Sequence, residues 1–264
     1  MQRCTAAIAA LLLALLGTAL AAAEEQTAEA AEPEPSWCAP ELEALSEEMC
    51  AYTPTLPAQS APRVLVIYLH GVIQPGTTWQ WTQERAMVRH AKVHGFTVIT
   101  PRGRRGIGPK TMRDWWTWPT SVRAQAQVED ELIHEWMLAK ALLEVRSGQR
   151  FERTYVIGFS NGAYYAAALA LRGKLPVDGY AMLAGGSAGY LRAHANKTRH
   201  RPPIYVGYGQ RDSVGDDCRR LGATLRALGW PYRLVGRPGV GHTITDSQVR
   251  EALELFERMG RPQR

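Results

Sequence analysis

The chain has 264 residues, 45% of them hydrophobic and 21% charged, with a formal net charge of +6. That length suits a single α/β domain with a sizeable core. The four cysteines show no C-x-x-C or Cys/His spacing, which excludes a recognisable metal site. The positive charge is accompanied by no helix-turn-helix, zinc-finger or RNP signature, which excludes the common nucleic-acid-binding modules.

Residues 1–23 have the form of a secretory signal peptide. Arg3 is the charged end, Ala6 to Leu16 the apolar stretch, and Ala19 to Ala23 the small-residue end. Cleavage after Ala21 or Ala23 is expected, giving a secreted or periplasmic protein with no stable membrane insertion. The competing reading is an uncleaved anchor, which the weak hydrophobicity of alanine disfavours.

Residues 24–60 contain nine Glu and no Lys, Arg or Asp, whereas residues 61–264 contain 30 Lys+Arg against 16 Asp+Glu. An acidic, partly disordered leader therefore precedes a basic body. The basic body suits an anionic partner or substrate, although a solvated basic surface is the simpler explanation. Within the leader, Pro40–Met49 is predicted as a short helix, with Leu42, Leu45 and Met49 on one side. That bears on Cys38 and Cys50, the tempting disulfide pair. Twelve residues of continuous helix would hold their Cα atoms roughly 18 Å apart, and a bridge needs them within about 7 Å. Either the segment is not helical throughout, or one of the two pairs with Cys218.

From Arg63 onward, apolar runs alternate with helical periods, the mark of a parallel sheet covered on both faces. The predicted strands are Val64–Leu69, Thr97–Thr100, Thr154–Phe159, Asp178–Leu183, Ile204–Tyr208 and Tyr232–Val235. The predicted helices are Trp81–Lys92, Val122–Val145, Gly162–Leu171, Asp216–Leu228 and Asp246–Met259. The second of these carries an apolar stripe through Val128, Leu132, Ile133, Trp136 and Leu143. Neither internal repeats nor a second domain are visible, and the twenty-residue connection after Leu183 is too short for a large helical lid.

Gly158-Phe159-Ser160-Asn161-Gly162 lies between a predicted strand and a predicted helix. In that context a G-x-S-x-G match reads as a nucleophile on a tight turn rather than as an ordinary βα turn. A serine hydroxyl needs a general base, and the base needs an orienting acid. Asp212, in Gly-Gln-Arg-Asp, and His242, in Gly-Val-Gly-His, follow later strands, 52 and then 30 positions on. Carboxyl ends of parallel strands form one crevice, so Ser160, Asp212 and His242 are predicted to converge. Asp212 as a mere helix cap is the alternative; Asp216, Asp217 and Asp246 are better placed as caps. The backbone N–H groups of Val72, after His70-Gly71, and of Asn161 are the predicted oxyanion donors. His70 is expected to be structural.

The Leu-His-Gly-Val segment, the Gly-Phe-Ser-Asn-Gly elbow and the Asp212 and His242 loops, in this order over residues 63–260, resemble the α/β-hydrolase family. The likeness is to its small, lidless serine esterases: the carboxylesterase/acyl thioesterase, feruloyl esterase and polyhydroxybutyrate-depolymerase-like groups. That resemblance implies an α/β-hydrolase domain over 61–264, with a mostly parallel sheet of six to eight flanked strands. It also implies hydrolysis of a small-molecule or polymer-derived ester through an acyl-serine, without metal or organic cofactor. Thioesterase or peptidase activity would use the same apparatus, and a non-catalytic secreted binding protein is the rival from another class. The family has two further N-terminal strands, which are not visible before Val64. In similar esterases the stretch Arg113–Pro119 lies near the active-site mouth, so Trp115, Trp116 and Trp118 are candidate substrate-binding residues for an aromatic, acyl or sugar group, with Trp79 and Trp81 able to join them; ordinary packing of the loop against the sheet edge is the alternative. Arg102, Arg104 and Arg105 are candidates for an anionic one.

Overall fold

The computed structural model describes residues 36–55, 63–186, 195 and 198–260. The proposed signal peptide and the first part of the acidic leader lie outside these residues. Eight strands form one sheet: β1 (Glu43–Ser46), β2 (Met49–Tyr52), β3 (Val64–Leu69), β4 (Thr97–Pro101), β5 (Arg153–Phe159), β6 (Gly179–Leu183), β7 (Ile204–Gly209) and β8 (Tyr232–Arg237). Their spatial order is β1-β2-β4-β3-β5-β6-β7-β8. From β4 to β8 every neighbouring pair is parallel, and β1 and β2 join antiparallel at one edge. Among the described residues, the α-helices with defined bounds are α1 (Trp79–His94), α2 (Val122–Ser147), α3 (Asn161–Arg172), α4 (Gly215–Ala227) and α5 (Asp246–Gly260).

Period-two alternation sorts each strand between two cores. Leu65, Ile67 and Leu69 of β3 point to the side holding α2, α3 and α4, where Trp136, Tyr165 and Leu221 pack. Val66 and Tyr68 point to the side holding α1 and α5, with Met87, Val249, Leu253 and Phe256. Strands buried on both faces have to be apolar almost throughout, as the runs in β3, β5 and β7 are. In α5, Val249, Ala252, Leu253 and Phe256 recur at three- and four-residue spacing and are all buried, which seats that helix on the sheet. The chain starts α5 with a capping box rather than with Asp246. Thr245 Oγ1 accepts the Gln248 N–H at 3.4 Å, while Gln248 Oε1 accepts the Thr245 N–H at 2.9 Å.

The structure corrects the helix predicted for Pro40–Met49. The segment is a hairpin, and β2 pairs with β4 in the register Met49↔Pro101 to Tyr52↔Val98. Local apolar spacing is overridden because an edge of the sheet is there to be paired, and Met49, Cys50 and Ala51 are buried against it. The two N-terminal strands absent from the sequence prediction are therefore present, and the sheet extends into the segment assigned to the leader. The hairpin also settles the cysteines. Cys38 and Cys50 form the disulfide, with Cα atoms 5.5 Å apart, and Cys218 is free and buried. No helix among the described residues is long and apolar enough to cross a membrane. No large lid appears among them, although residues 187–194 of the connection after β6 lie outside them.

Candidate active site

Ser160 stands between β5 and α3 with φ 51° and ψ −116°. A non-glycine residue held there stores on the order of 1–3 kcal/mol of strain, which surrounding structure has to enforce. The enforcement is visible at the two flanking glycines. A Cβ on Gly158 would stand 2.3 Å from the Gly162 carbonyl oxygen, and one on Gly162 would stand 2.1 Å from that of Leu69. Strand, turn and helix thus meet backbone to backbone, and no side chain fits between them. Hydrogen bonds tie the turn on both sides: Ser160 N–H donates to Leu183 O at 2.9 Å, and Gly162 N–H to His70 O at 3.1 Å.

Asp212 and His242 arrive on loops after β7 and β8. These loops are laced together, since Gln210 N–H donates to Arg237 O and Arg211 N–H to Val240 O, each at 2.9 Å. The Asp212 side chain is 1% exposed. Its Oδ1 accepts the Val214 N–H at 3.1 Å, and its Oδ2 lies 2.8 Å from His242 Nδ1. His242 Nε2 lies 2.9 Å from Ser160 Oγ. The Phe159 ring, 5.1 Å away, supports the imidazole. A carboxylate at Nδ1 selects the tautomer protonated there and leaves Nε2 as the acceptor facing the serine hydroxyl. The three side chains predicted to converge are thus hydrogen-bonded in series.

Among the described residues, neither the Val72 N–H nor the Asn161 N–H has a protein acceptor. Asn161 opens α3, so its N–H belongs to a helix N-terminus, where negative charge is favoured. The loop carrying Val72 is fixed by Gln83, whose Oε1 accepts both the Gly71 N–H at 3.0 Å and the Tyr68 hydroxyl at 2.9 Å. Asn161 is fixed through its side chain, Oδ1 accepting the Trp118 N–H at 2.6 Å. Gln83 and this Asn161 contact escape sequence reasoning, because neither residue belongs to a spaced motif. His70 is structural, as predicted. Nε2 accepts the Gly103 N–H at 3.0 Å, Nδ1 donates to Gly71 O, and burial pushes the imidazole pKa down to about 4.

The tryptophan wall needs correction. Trp118 is 1% exposed and lies between Trp136, Tyr165 and His70, with its indole N–H donating to His70 O at 2.8 Å. It is a core residue because the antiparallel bridge between Ile73 and Trp116 draws the segment inward. Trp116 is also engaged: Arg102 and Arg105 each lie 4.3 Å from its ring, and Trp37 meets it edge-on. Trp115 is half-buried and lies 6.1 Å from the exposed ring of Trp79. Arg102 and Arg104 are committed to carboxylates, the first to Glu48 and the second to Glu48, Glu131 and Glu135. Asp246 lies 3.2 Å from His90 Nε2 rather than near His242. No cluster of three or more His, Cys, Asp or Glu suited to a metal ion occurs among the described residues.

No family model and no curated protein sequence matches the chain. Solved structures do match. SOBER1 of Arabidopsis thaliana aligns with a TM-score of 0.56 at 16% identity, over 75% of this chain and 100% of its own. Esterase PE8 aligns with a TM-score of 0.54 at 23% identity, over 77% of this chain and 96% of its own. TT1662 from Thermus thermophilus aligns with a TM-score of 0.54 at 21% identity, over 81% and 94%. With its eight-stranded, mostly parallel sheet, the chain has the α/β-hydrolase fold.

Proposed function

We propose that the chain is an exported serine hydrolase that cleaves carboxylic esters. The observation that carries this is the series Ser160 Oγ to His242 Nε2 at 2.9 Å and His242 Nδ1 to Asp212 Oδ2 at 2.8 Å, on a strained strand-to-helix turn. In the proposed reaction Ser160 Oγ attacks the acyl carbon while His242 Nε2 takes its proton. Asp212 holds the imidazole tautomer and stabilises its charged form. The tetrahedral oxyanion receives the N–H groups of Val72 and Asn161, which Gln83 and Trp118 keep in place. His242 then protonates the leaving alcohol, and water activated by the same imidazole releases the acid. Trp115 and Trp79 are the proposed apolar wall for the acyl or aryl group. Export is supported by the signal-like residues 1–23 and by a disulfide, which persists in oxidising compartments.

Hydrolysis of a p-nitrophenyl ester series tests the proposal. The mature protein is expected to turn over short acyl chains, and Ser160→Ala to lose that turnover. A folded wild-type protein that hydrolyses none of the series would contradict it.

A further inference from the structure

The connection between β4 and α2 carries cations in two different states. Arg102 and Arg104 are neutralised by Glu48, Glu131 and Glu135. Lys110 and Arg113, further along the same connection, and Arg123, in the first turn of α2, form no ion pair among the described residues. These three line one cleft of about 400 Å³, together with Ser121 and the backbone around Gly106 and Gly108, and no carboxylate lines it. The loop is closed on itself by Gly106 N–H to Arg113 O at 2.7 Å and Met112 N–H to Pro109 O at 2.8 Å. The cations are therefore presented on a fixed backbone. Three like charges around one concavity repel one another, and a bound anion would remove that repulsion.

We propose that this cleft binds a phosphate or sulfate group carried by a small organic molecule. Two guanidinium forks and an ammonium match the oxygens of such a group. The cavity also falls within the range of roughly 300–1,000 Å³ usual for small-molecule sites, so it accommodates more than the anion itself. Its place adds a second consequence. β4 ends at Pro101, so the cleft lies at the same end of the sheet as Ser160. The segment that forms it runs on to Trp118, whose N–H holds Asn161 Oδ1. Anion binding in this cleft does not depend on Ser160 being a nucleophile.

The test is calorimetric titration of the mature chain with inorganic phosphate and with sulfate at constant ionic strength, with chloride as comparison. Saturable binding of one anion per chain is expected. Arg113→Ala with Arg123→Ala should weaken it roughly tenfold or more, the loss of at least one charge-assisted contact. Arg250→Ala with Arg258→Ala, which removes the same charge from the exposed side of α5, should leave it intact. Lys110→Gln, a single exposed change, should weaken binding by a smaller factor and guards against misfolding of the double variant. Absence of saturable binding, equal loss in both double variants, or undiminished affinity in Arg113→Ala/Arg123→Ala would each overturn the proposal.

Discussion

The turn at Ser160 and the N-terminal hairpin at Cys38–Tyr52 differ in how far side chains hold them in place. At the turn, main chain meets main chain, and the flanking glycines leave no room for a methyl group. The hairpin joins the sheet through the β2–β4 backbone ladder, and side chains fasten it further: a disulfide, the Arg102–Glu48 pair, and Glu84, whose two oxygens accept the Ala39 N–H at 2.8 Å and the Thr100 hydroxyl at 3.0 Å. Backbone contacts of the first kind cannot be loosened by degrees, so damage there should abolish geometry and activity together. Side-chain contacts of the second kind can be removed one by one, with losses that fall mainly on stability.

The sharpest test of that contrast is Gly162→Ala. Its new methyl would collide with the Leu69 carbonyl at 2.1 Å, and a loss above about 4 kcal/mol or failure to fold is expected. Near-normal melting would show that the turn accommodates a methyl group there. The matching change at the hairpin, Cys38→Ser with Cys50→Ser, should lower stability by about 2–4 kcal/mol in denaturant titration. It should leave ester turnover within a few-fold of wild type at a temperature where the variant is folded.

Gln83 is a side chain that holds the Gly71 loop beside the Ser160 turn. Gln83→Leu removes the acceptor of the Gly71 N–H and should lower kcat about tenfold, part of what an oxyanion donor supplies, with KM little changed. Gln83→Glu, which keeps the acceptor oxygen, should recover most of it. The smallest expected effect concerns pH. Burial raises the Glu84 carboxyl from 4.5 to about 7. Between those values the folded state keeps a proton that the unfolded chain has released. Stability from this group is thus full below pH 4.5 and falls as pH rises through about 7. His70, lowered from 6.5 to about 4, acts in the opposite sense, its contribution being lost as pH falls through that range. The difference between wild type and Glu84→Gln isolates the carboxylate: the variant should gain on wild type from pH 4.5 to 7 in urea midpoint measurements.

What was legible in the sequence follows the same division. The six strands from Val64 onward and helices α1 to α5 were readable within a few residues, because buried strands impose continuous apolar runs and seated helices impose three- and four-residue spacing. Ser160, Asp212 and His242 were readable as candidates because each sits in a short glycine-containing segment at a strand end. The hairpin was misread as a helix because Leu42, Leu45 and Met49 carry helical spacing, while the partner that decides the matter, β4, is some fifty residues away. Trp118 was placed at the mouth because a tryptophan cluster looks the same whether it lines a cleft or fills a core. Only its contacts with His70 and Trp136 separate the two. The roles of Gln83 and of the β4–α2 cleft cations, which form no ion pair among the described residues, depend on which groups meet in space, and composition carries no trace of that.

Covalent labelling of the folded protein with a fluorophosphonate probe, followed by mass spectrometry, asks directly whether Ser160 is an activated nucleophile. One adduct on Ser160 is predicted, absent in Ser160→Ala, strongly slowed in His242→Ala and slowed in Asp212→Asn. An unlabelled wild type, or labelling that ignores His242, would contradict an activated serine.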